Sequence, residues 1–340
     1  MTIIKTRNYL LLFLFIFFIS CNNIGDSDKK DTSNDLPKYE LVKDWPQLPK
    51  GYVLSQVTGV GVDTGQNVFL FHRTGRHWTT PFPDSLISAN TILMLDRETG
   101  KVLNSWGANL FIMPHGLTVD KENNVWVTDV ALHQIFKFSH AGKLLMRLGV
   151  AKNPGNDSTH FNLPTDVAVA NDGSFYVSDG YGNSRVVKFP KEGKYIFEWG
   201  KKGNKPGEFN TPHGIDLDLQ GNVYVADREN NRIQKFDANG KFLKEWKNDT
   251  AVQLYSLSIN KTDNNLVAID YLTVSDTLIK GSDIIQFDSS LNFLTRFGRT
   301  GSYSGPICRY HDIAIDNKSN IYVGDILGNR IQKFKKVSSH

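Results

Sequence analysis

Three histidines, His115, His213 and His311, are spaced 98 residues apart along the chain. Each sits in a similar phrase: Met113-Pro114-His115-Gly116-Leu117, Thr211-Pro212-His213-Gly214-Ile215 and Arg309-Tyr310-His311-Asp312-Ile313. Equal spacing over so long a stretch means internal repetition, and a repeat returns its equivalent positions to equivalent places in space. Three imidazoles with no thiolate are a ligand set for a divalent metal ion. Three protein ligands and one exchangeable position describe catalytic zinc, whereas structural zinc is closed by four. Affinity order alone also admits copper or nickel, but an all-imidazole set suits zinc. The chain has nine histidines; the other six, which include His72, His77 and His133, fall in other slots and read mostly as structural or surface residues.

Around the histidines lie residues that could complete an active site. Arg73 and Arg228 each follow a second strand of the repeat, in equivalent slots, and Tyr181 lies one residue beyond that slot in another copy. Two guanidiniums beside a metal would seat a carboxylate through bidentate pairs; as structural braces they would instead tie neighbouring segments together. A tyrosine close to zinc and to cations is expected to have its pKa pulled below about 10, which would make it a general base. The Asp residues recurring at that strand end (Asp129, Asp179, Asp227, Asp325), one per copy, read as blade-to-blade braces.

The elements that must position these residues are short strands. The clearest copy runs His213 to Asp218, Val223 to Asp227, Asn231 to Phe236 and Phe242 to Trp246. Each segment alternates apolar and polar residues, and Gly, Asn or Asp marks the joins, which is the signature of four antiparallel strands. Aligned inner pairs number six: Val60/Val62, Leu117/Val119, Val167/Val169, Ile215/Leu217, Leu257/Ile259 and Ile313/Ile315. Six four-stranded copies predict an all-β fold, a six-bladed β-propeller of NHL-type repeats over residues 45–336. The last copy ends near the C-terminus, so a segment around Tyr39–Val42 is expected to lend the ring its closing outer strand. The slot two residues before each inner pair holds Thr58, His115, Thr165, His213, Tyr255 and His311. The histidines therefore lie on alternate blades, about 120° apart, facing one axis. Trp106, Trp199 and Trp246, each closing an outer strand, are expected to pack rather than to stack on ligands.

Charge and composition exclude some functions. With 40% hydrophobic and 22% charged residues, the 340-residue chain is an ordinary globular sequence with a net charge of +4. Removing the first twenty residues leaves 37 basic against 35 acidic side chains, so no nucleic-acid partner is expected. Residues 1–20 carry Lys5 and Arg7, then an apolar run ending Phe18-Ile19-Ser20-Cys21. That reads as a signal peptide, and Ser20-Cys21 resembles the lipobox of bacterial lipoproteins. The resemblance implies cleavage before Cys21, a lipid on Cys21 and a lipid-anchored protein of the cell envelope, outside the cytoplasm. Residues 21–44 open as a polar tether. With Cys21 lipidated, Cys308 has no partner for a disulfide.

Several longer runs resemble one family, the peptidyl-α-hydroxyglycine α-amidating lyase domain of the peptide-amidating enzyme. They are VFLFHR at 68–73, NLFIMPHGL at 109–117, VWVTDVALHQIFK at 125–137, PTDVAVANDGSFYVSDGYGNSR at 164–185 and VADRENNRIQ at 225–234, with Tyr310-His311-Asp312. The resemblance spans nearly all of residues 50–336. It implies a carbon–nitrogen lyase that cleaves an N-acyl-α-hydroxyglycine to an amide and glyoxylate. It further implies zinc on His115, His213 and His311, Tyr181 as base, and Arg73 and Arg228 at the substrate. A structural calcium would sit in the channel on the carbonyls of Val60 and Leu117 and the carboxylate of Asp312. Two departures stand out: Asn162 and Gly182 replace a disulfide pair of the family, and Arg309 replaces an active-site methionine. The chain also has no segment resembling the copper monooxygenase half, so a separate hydroxylating enzyme would have to supply the substrate. The alternative from the repeats alone is a non-catalytic, lipid-anchored NHL propeller that binds envelope partners. A calcium-dependent lactonase-type propeller is disfavoured, since such sites use acidic and amide oxygens.

Overall fold

The computed structural model describes residues 36, 38–248, 250, 252–275, 278–299 and 306–337. Cys21 and the expected signal peptide and tether up to residue 35 lie outside the described residues. Residues Leu36–His340 form one compact unit. Six sheets of antiparallel strands make it up; in five of them the inner strand comes first in sequence, and the sixth adds an outer strand from the start of the unit.

Blade 1 holds β2 (Val57–Val62), β3 (Val68–His72), β4 (Ile92–Leu95) and β5 (Val102–Trp106). Blade 2 holds β6 (Pro114–Val119), β7 (Val125–Asp129), β8 (Gln134–Phe138) and β9 (Leu144–Leu148). Blade 3 runs β10 (Asp166–Val169), β11 (Phe175–Asp179), β12 (Arg185–Phe189) and β13 (Phe197–Trp199), and blade 4 runs β14 (Pro212–Leu217), β15 (Val223–Asp227), β16 (Arg232–Phe236) and β17 (Phe242–Lys247). Blade 5 has β18 (Gln253–Ile259), β19 (Leu266–Ser275), β21 (Asp283–Phe287) and β22 (Phe293–Gly298), with β20 (Leu278–Gly281) paired to the extended end of β19. That extension was not expected; the β-prone run Tyr271-Leu272-Thr273-Val274 carries the strand past Asp270, the position where the other second strands stop.

The sixth blade closes the ring. Its β23 (Tyr310–Ile315), β24 (Ile321–Asp325) and β25 (Arg330–Val337) are completed by β1 (Lys38–Leu41), which pairs Leu41 with Phe334 and Lys38 with Val337. The outer strand expected around Tyr39–Val42 is thus present, and it covers an edge of β25 that would otherwise be open to pairing with another chain. Among the described residues there is no α-helix; a single 3-10 turn spans Arg228–Asn230.

The second strands are buried along their whole length, as in Val68–His72, Val125–Asp129 and Phe175–Asp179, because each lies between two neighbouring blades. Aromatic residues fill the space between blades: Phe69, Phe71, Phe111, Phe136 and Phe138 form one cluster between blades 1 and 2. The outer-strand tryptophans pack as expected, each onto the following blade. Trp106 lies 6.4 Å from Phe138, Trp199 lies 5.6 Å from Phe236 and Trp246 lies 4.8 Å from Phe287, ring centre to ring centre.

Candidate metal centre

The inner strands are irregular where the chemistry sits. In blades 1, 2, 4, 5 and 6 the register against the second strand shifts across Val57/Gly59, Pro114/Leu117, Pro212/Ile215, Leu254/Ser256 and Tyr310/Asp312. Each shift brackets the slot residue: Thr58, His115, His213, Tyr255 or His311. A bulge re-aims the side chain it contains and often lies beside an active site. Close approach of neighbouring inner strands adds a second local demand. A Cβ on Gly116 would stand 2.5 Å from the Thr165 carbonyl oxygen, and one on Gly214 would stand 2.6 Å from Ser256 Cα. The glycine after His115 and His213 is therefore required by packing.

The result is a cluster of three imidazoles. His115, His213 and His311 are buried, and their ligand nitrogens all lie within 4.8 Å of one another. The ring centroids are 4.8, 4.6 and 5.0 Å apart. Each Nδ1 donates to a backbone carbonyl of the following blade: His115 to Thr165 at 2.7 Å, His213 to Tyr255 at 2.8 Å and His311 to Thr58 at 2.8 Å. An Nδ1–H held by a carbonyl fixes the tautomer and leaves Nε2 as the lone-pair donor, which is how metal-binding histidines are oriented. Burial and the nearby Arg73 pull His115 down to about 3, and His213 and His311 also lie well below the ordinary histidine range, chiefly through burial. All three are neutral near neutral pH, as ligation demands. The donor set fits a three-coordinate protein site for a divalent metal.

The three carbonyls belong to the slot residues of the odd blades, Thr58, Thr165 and Tyr255. Sequence reasoning placed them in that slot but gave them no role. Their signal was the alternation itself: three blades present an imidazole, and the three between them present the acceptor that aims it.

Tyr181 meets the cluster directly. Its hydroxyl lies 3.0 Å from Nε2 of His115, 3.0 Å from Nε2 of His213 and 3.1 Å from Arg228 Nη1, which donates to it. The Arg228 guanidinium also covers the Tyr181 ring at 5.0 Å, and Glu229 pairs with it at 2.8 Å. Burial raises the Tyr181 phenol above its usual range, and Arg228 and Arg73 only partly offset this. The lowering expected from the cations is therefore not reached by the protein charges alone. Arg73 stands one step back. It is buried, its Nε donates to the Pro114 carbonyl at 3.1 Å, and its Nη1 donates to Gln56 Oε1 at 2.7 Å. Trp78, on the loop after β3, lies 5.5 Å from the Arg73 guanidinium and 5.1 Å from the Tyr181 ring. Sequence reasoning missed Trp78 and Glu229, which lie outside the repeated slots.

The other end of the channel is acidic. Val60, Leu117, Asp166, Asp216 and Asp312 line a cavity of 590 Å³ there. Asp312 accepts from the Val60 amide at 2.8 Å and from Ser256 Oγ at 2.7 Å, and burial pushes its carboxyl up to about 7. Asp166, in the same slot of the opposite blade, is held well above the carboxylate range by burial and by Asp312. Two buried carboxylates that each resist ionisation form a donor set that a hard dication would suit. Asp166 was absent from the expected ligands.

The recurring aspartates do brace the fold, but within a blade rather than between blades. Asp129 accepts from the Ile112 and Met113 amides, Asp227 from the Asn210 amide and Asp325 from the Arg309 amide. Each carboxylate pins the segment that leads into its own inner strand, because the second strand ends beside that segment. The acidic stretch Asp216–Asp227 falls on β14, a turn and β15, with Asp218 accepting from the Asn222 amide across the turn.

Comparison with known proteins agrees with this geometry. A 6-bladed beta-propeller family model matches residues 155–270, and an NHL repeat model matches residues 111–138. Peptidyl-alpha-hydroxyglycine alpha-amidating lyase 1 of Drosophila melanogaster is 35% identical over 319 residues, covering 85% of this chain and 58% of that protein. Peptidyl-glycine alpha-amidating monooxygenase B of Xenopus laevis is 37% identical over 328 residues, covering 90% of this chain and 37% of that protein. The chain is similar to both proteins over most of its own length. One of the two is a lyase by name and the other a monooxygenase, and the chain spans about a third to three fifths of their length. Among solved structures, a streptogramin B lyase superposes with a TM-score of 0.57 at 13% identity, covering 88% of this chain and 98% of the other; at that identity the likeness concerns the fold.

Proposed function

We propose that the chain is a zinc-dependent lyase that cleaves an N-acyl-α-hydroxyglycine into an amide and glyoxylate. The observation that carries this reading is the hydroxyl of Tyr181 at 3.0 Å from two Nε2 atoms of a buried three-histidine cluster. A zinc ion on His115, His213 and His311 would supply Lewis acidity toward the substrate hydroxyl. Tyr181 Oη, as the phenolate, takes the hydroxyl proton, the electron pair of the O–H bond becomes the second carbon–oxygen bond of glyoxylate, and the bond from Cα to nitrogen breaks with its pair left on nitrogen. The same proton, returned from Tyr181 Oη to the nitrogen, completes the amide. Arg228 donates to Tyr181 Oη and favours the phenolate while the proton is away. Arg73 presents a buried guanidinium for the substrate carboxylate, and Trp78 shields it from water. At the far end, Asp312 with the Val60 and Leu117 carbonyls would hold a structural calcium, with Asp166 as a further carboxylate nearby.

The decisive experiment loads the purified protein with zinc and supplies N-acetyl-α-hydroxyglycine. Release of glyoxylate that disappears in Tyr181→Phe supports the reading. Its absence from zinc-loaded protein overturns it. An activity that hydroxylates the glycine α-carbon would furnish the substrate, and lipid on Cys21 would hold the protein at the cell envelope. Metabolic labelling with palmitate, lost in Cys21→Ser, checks that placement.

A further inference from the structure

Arg309 occupies the same mouth as the three histidines and, among the described residues, has no carboxylate in an ion pair. It lies two residues before His311, and its backbone amide is fixed by Asp325 Oδ1 at 2.9 Å. Its Nη2 donates to Tyr255 Oη at 2.6 Å, and its guanidinium lies 4.7 Å over the Tyr271 ring. Its Nε is buried and has no hydrogen-bond partner among the described residues. Tyr255 is a platform shared by two cations, with Arg309 5.6 Å and Arg228 5.1 Å from its ring centre, and that ring lies 5.7 Å from the His311 ring. Arg309 therefore enters from the sixth blade and rests on Tyr255 and Tyr271 of the fifth, and the first blade, which carries Arg73, is the sixth blade's neighbour in the ring.

The charges around this mouth do not cancel. Glu229 pairs with Arg228 at 2.8 Å. Among the described residues neither Arg73 nor Arg309 meets a carboxylate in an ion pair; their side-chain hydrogen bonds go to Pro114, Gln56 and Tyr255, all neutral groups. A partly buried guanidinium with an unused N–H is unfavourable until an anion fills it, and its fork geometry matches a carboxylate. The carboxylate of an α-hydroxyglycine takes up one of the two uncompensated cations, Arg73. One remains.

We infer that Arg309 is a specificity residue that seats a second carboxylate, so that the preferred substrate is an α-hydroxyglycine whose acyl part is itself acidic. That part would be an aspartyl or glutamyl residue, or a dicarboxylic acyl group. The inference rests on the lyase reading for its substrate but not for its anion seat.

The test compares N-succinyl-α-hydroxyglycine with N-pentanoyl-α-hydroxyglycine, which has an acyl chain of similar length and no charge. The full-length, zinc-loaded protein is expected to favour the succinyl substrate in kcat/KM by about tenfold or more, the size of one charge-assisted hydrogen-bonded contact. In Arg309→Met that ratio falls toward one, and in Arg309→Lys an intermediate ratio remains. Circular dichroism of both variants checks that the propeller is intact. Equal kcat/KM for the two substrates in the wild type overturns the inference and leaves the lyase reading standing. Calorimetric binding of N-succinylglycine and N-pentanoylglycine, which lack the hydroxyl and cannot be cleaved, separates the two ideas further. Tighter binding of the succinyl compound, weakened in Arg309→Met, supports the seat even where no hydroxyglycine is turned over; equal binding overturns it.

Discussion

Tyr181 and the three histidines make separable demands on any variant. Replacing Tyr181 by Phe removes the oxygen at 3.0 Å from His115 and His213 but leaves all three ligand nitrogens in place. We expect Tyr181→Phe to keep its zinc, measured by elemental analysis, while kcat for glyoxylate release falls by roughly 10²–10⁴ fold, the usual contribution of a general base. His213→Ala removes a ligand, and we expect it to retain less than about one tenth of the wild-type zinc after dialysis. A variant that loses the metal together with Tyr181 would show that the phenol is a ligand rather than a base. Burial already raises the Tyr181 phenol, so a base role depends on the cations around it. Loss of Arg228 should accordingly move the ascending, low-pH limb of a pH–rate profile to higher pH, an effect larger than any change in KM.

At the scale of the strand, function depends on bulges and on close approach between blades. The slot residues of even blades donate through Nδ1 to the slot carbonyls of odd blades, so the metal site is assembled by the packing of one inner strand against the next. Gly116→Ala tests this, because its Cβ would press on the Thr165 oxygen that receives the His115 proton, 2.5 Å away. We expect a loss of about 1–3 kcal/mol in stability from overpacking, together with weaker zinc binding, since displacing such an orienting group costs about 10–100 fold in metal affinity. Denaturant titration and zinc competition with a chelator read the two effects. Asp129 is equally an element-scale device: buried, it accepts four backbone amides, from Ile112, Met113, Ala131 and Leu132. It holds the approach to β6 in place and touches no ligand.

Across the whole molecule, ring closure and pH matter most. β1 supplies the last strand of the sixth blade, and Tyr39 on it stacks against Phe297 of the fifth at 5.4 Å. Protein beginning at Val42 should melt several degrees below protein beginning at Leu36, and should self-associate through the bared edge of β25, as seen by light scattering. Burial holds His72 down to about 4 in the folded state, against an ordinary value of 6.5. Between those values the unfolded chain binds a proton that the native chain refuses, so stability falls as the pH drops through that window. At pH 5 this single group costs about 2 kcal/mol. The denaturation midpoint of the wild type should therefore drop between pH 7 and pH 5 by more than that of His72→Gln. Buried carboxyls with raised values, such as Asp179 at about 6, work in the opposite direction, so the difference between the two proteins is the informative quantity.

Much of this was legible in the sequence because repetition carries positional information. Six copies of one strand pattern fix the blade count, and equal spacing of His115, His213 and His311 fixes which blades they occupy; once a propeller closes, its symmetry brings those residues to one axis. Tyr181, Arg73 and Arg228 were legible for the same reason, since each lies at or beside one repeated slot. Other features obey no local pattern. Which way each imidazole faces depends on carbonyls of the adjacent blade, and the inward turn of the slot depends on bulges that strand periodicity does not announce. Asp166 became a neighbour of Asp312 only when opposite blades met across the channel. Trp78 and Glu229 sit on connections whose path no repeat dictates. Nor did composition reveal that Arg309 meets no acid partner among the described residues, because a charge is compensated or not by what stands beside it in space. The sequence by itself determined a ring of six and the ligands that face its axis, since both follow from periodicity. The tertiary structure alone decided orientation, burial and charge balance, since these are set by contacts between blades far apart in the chain.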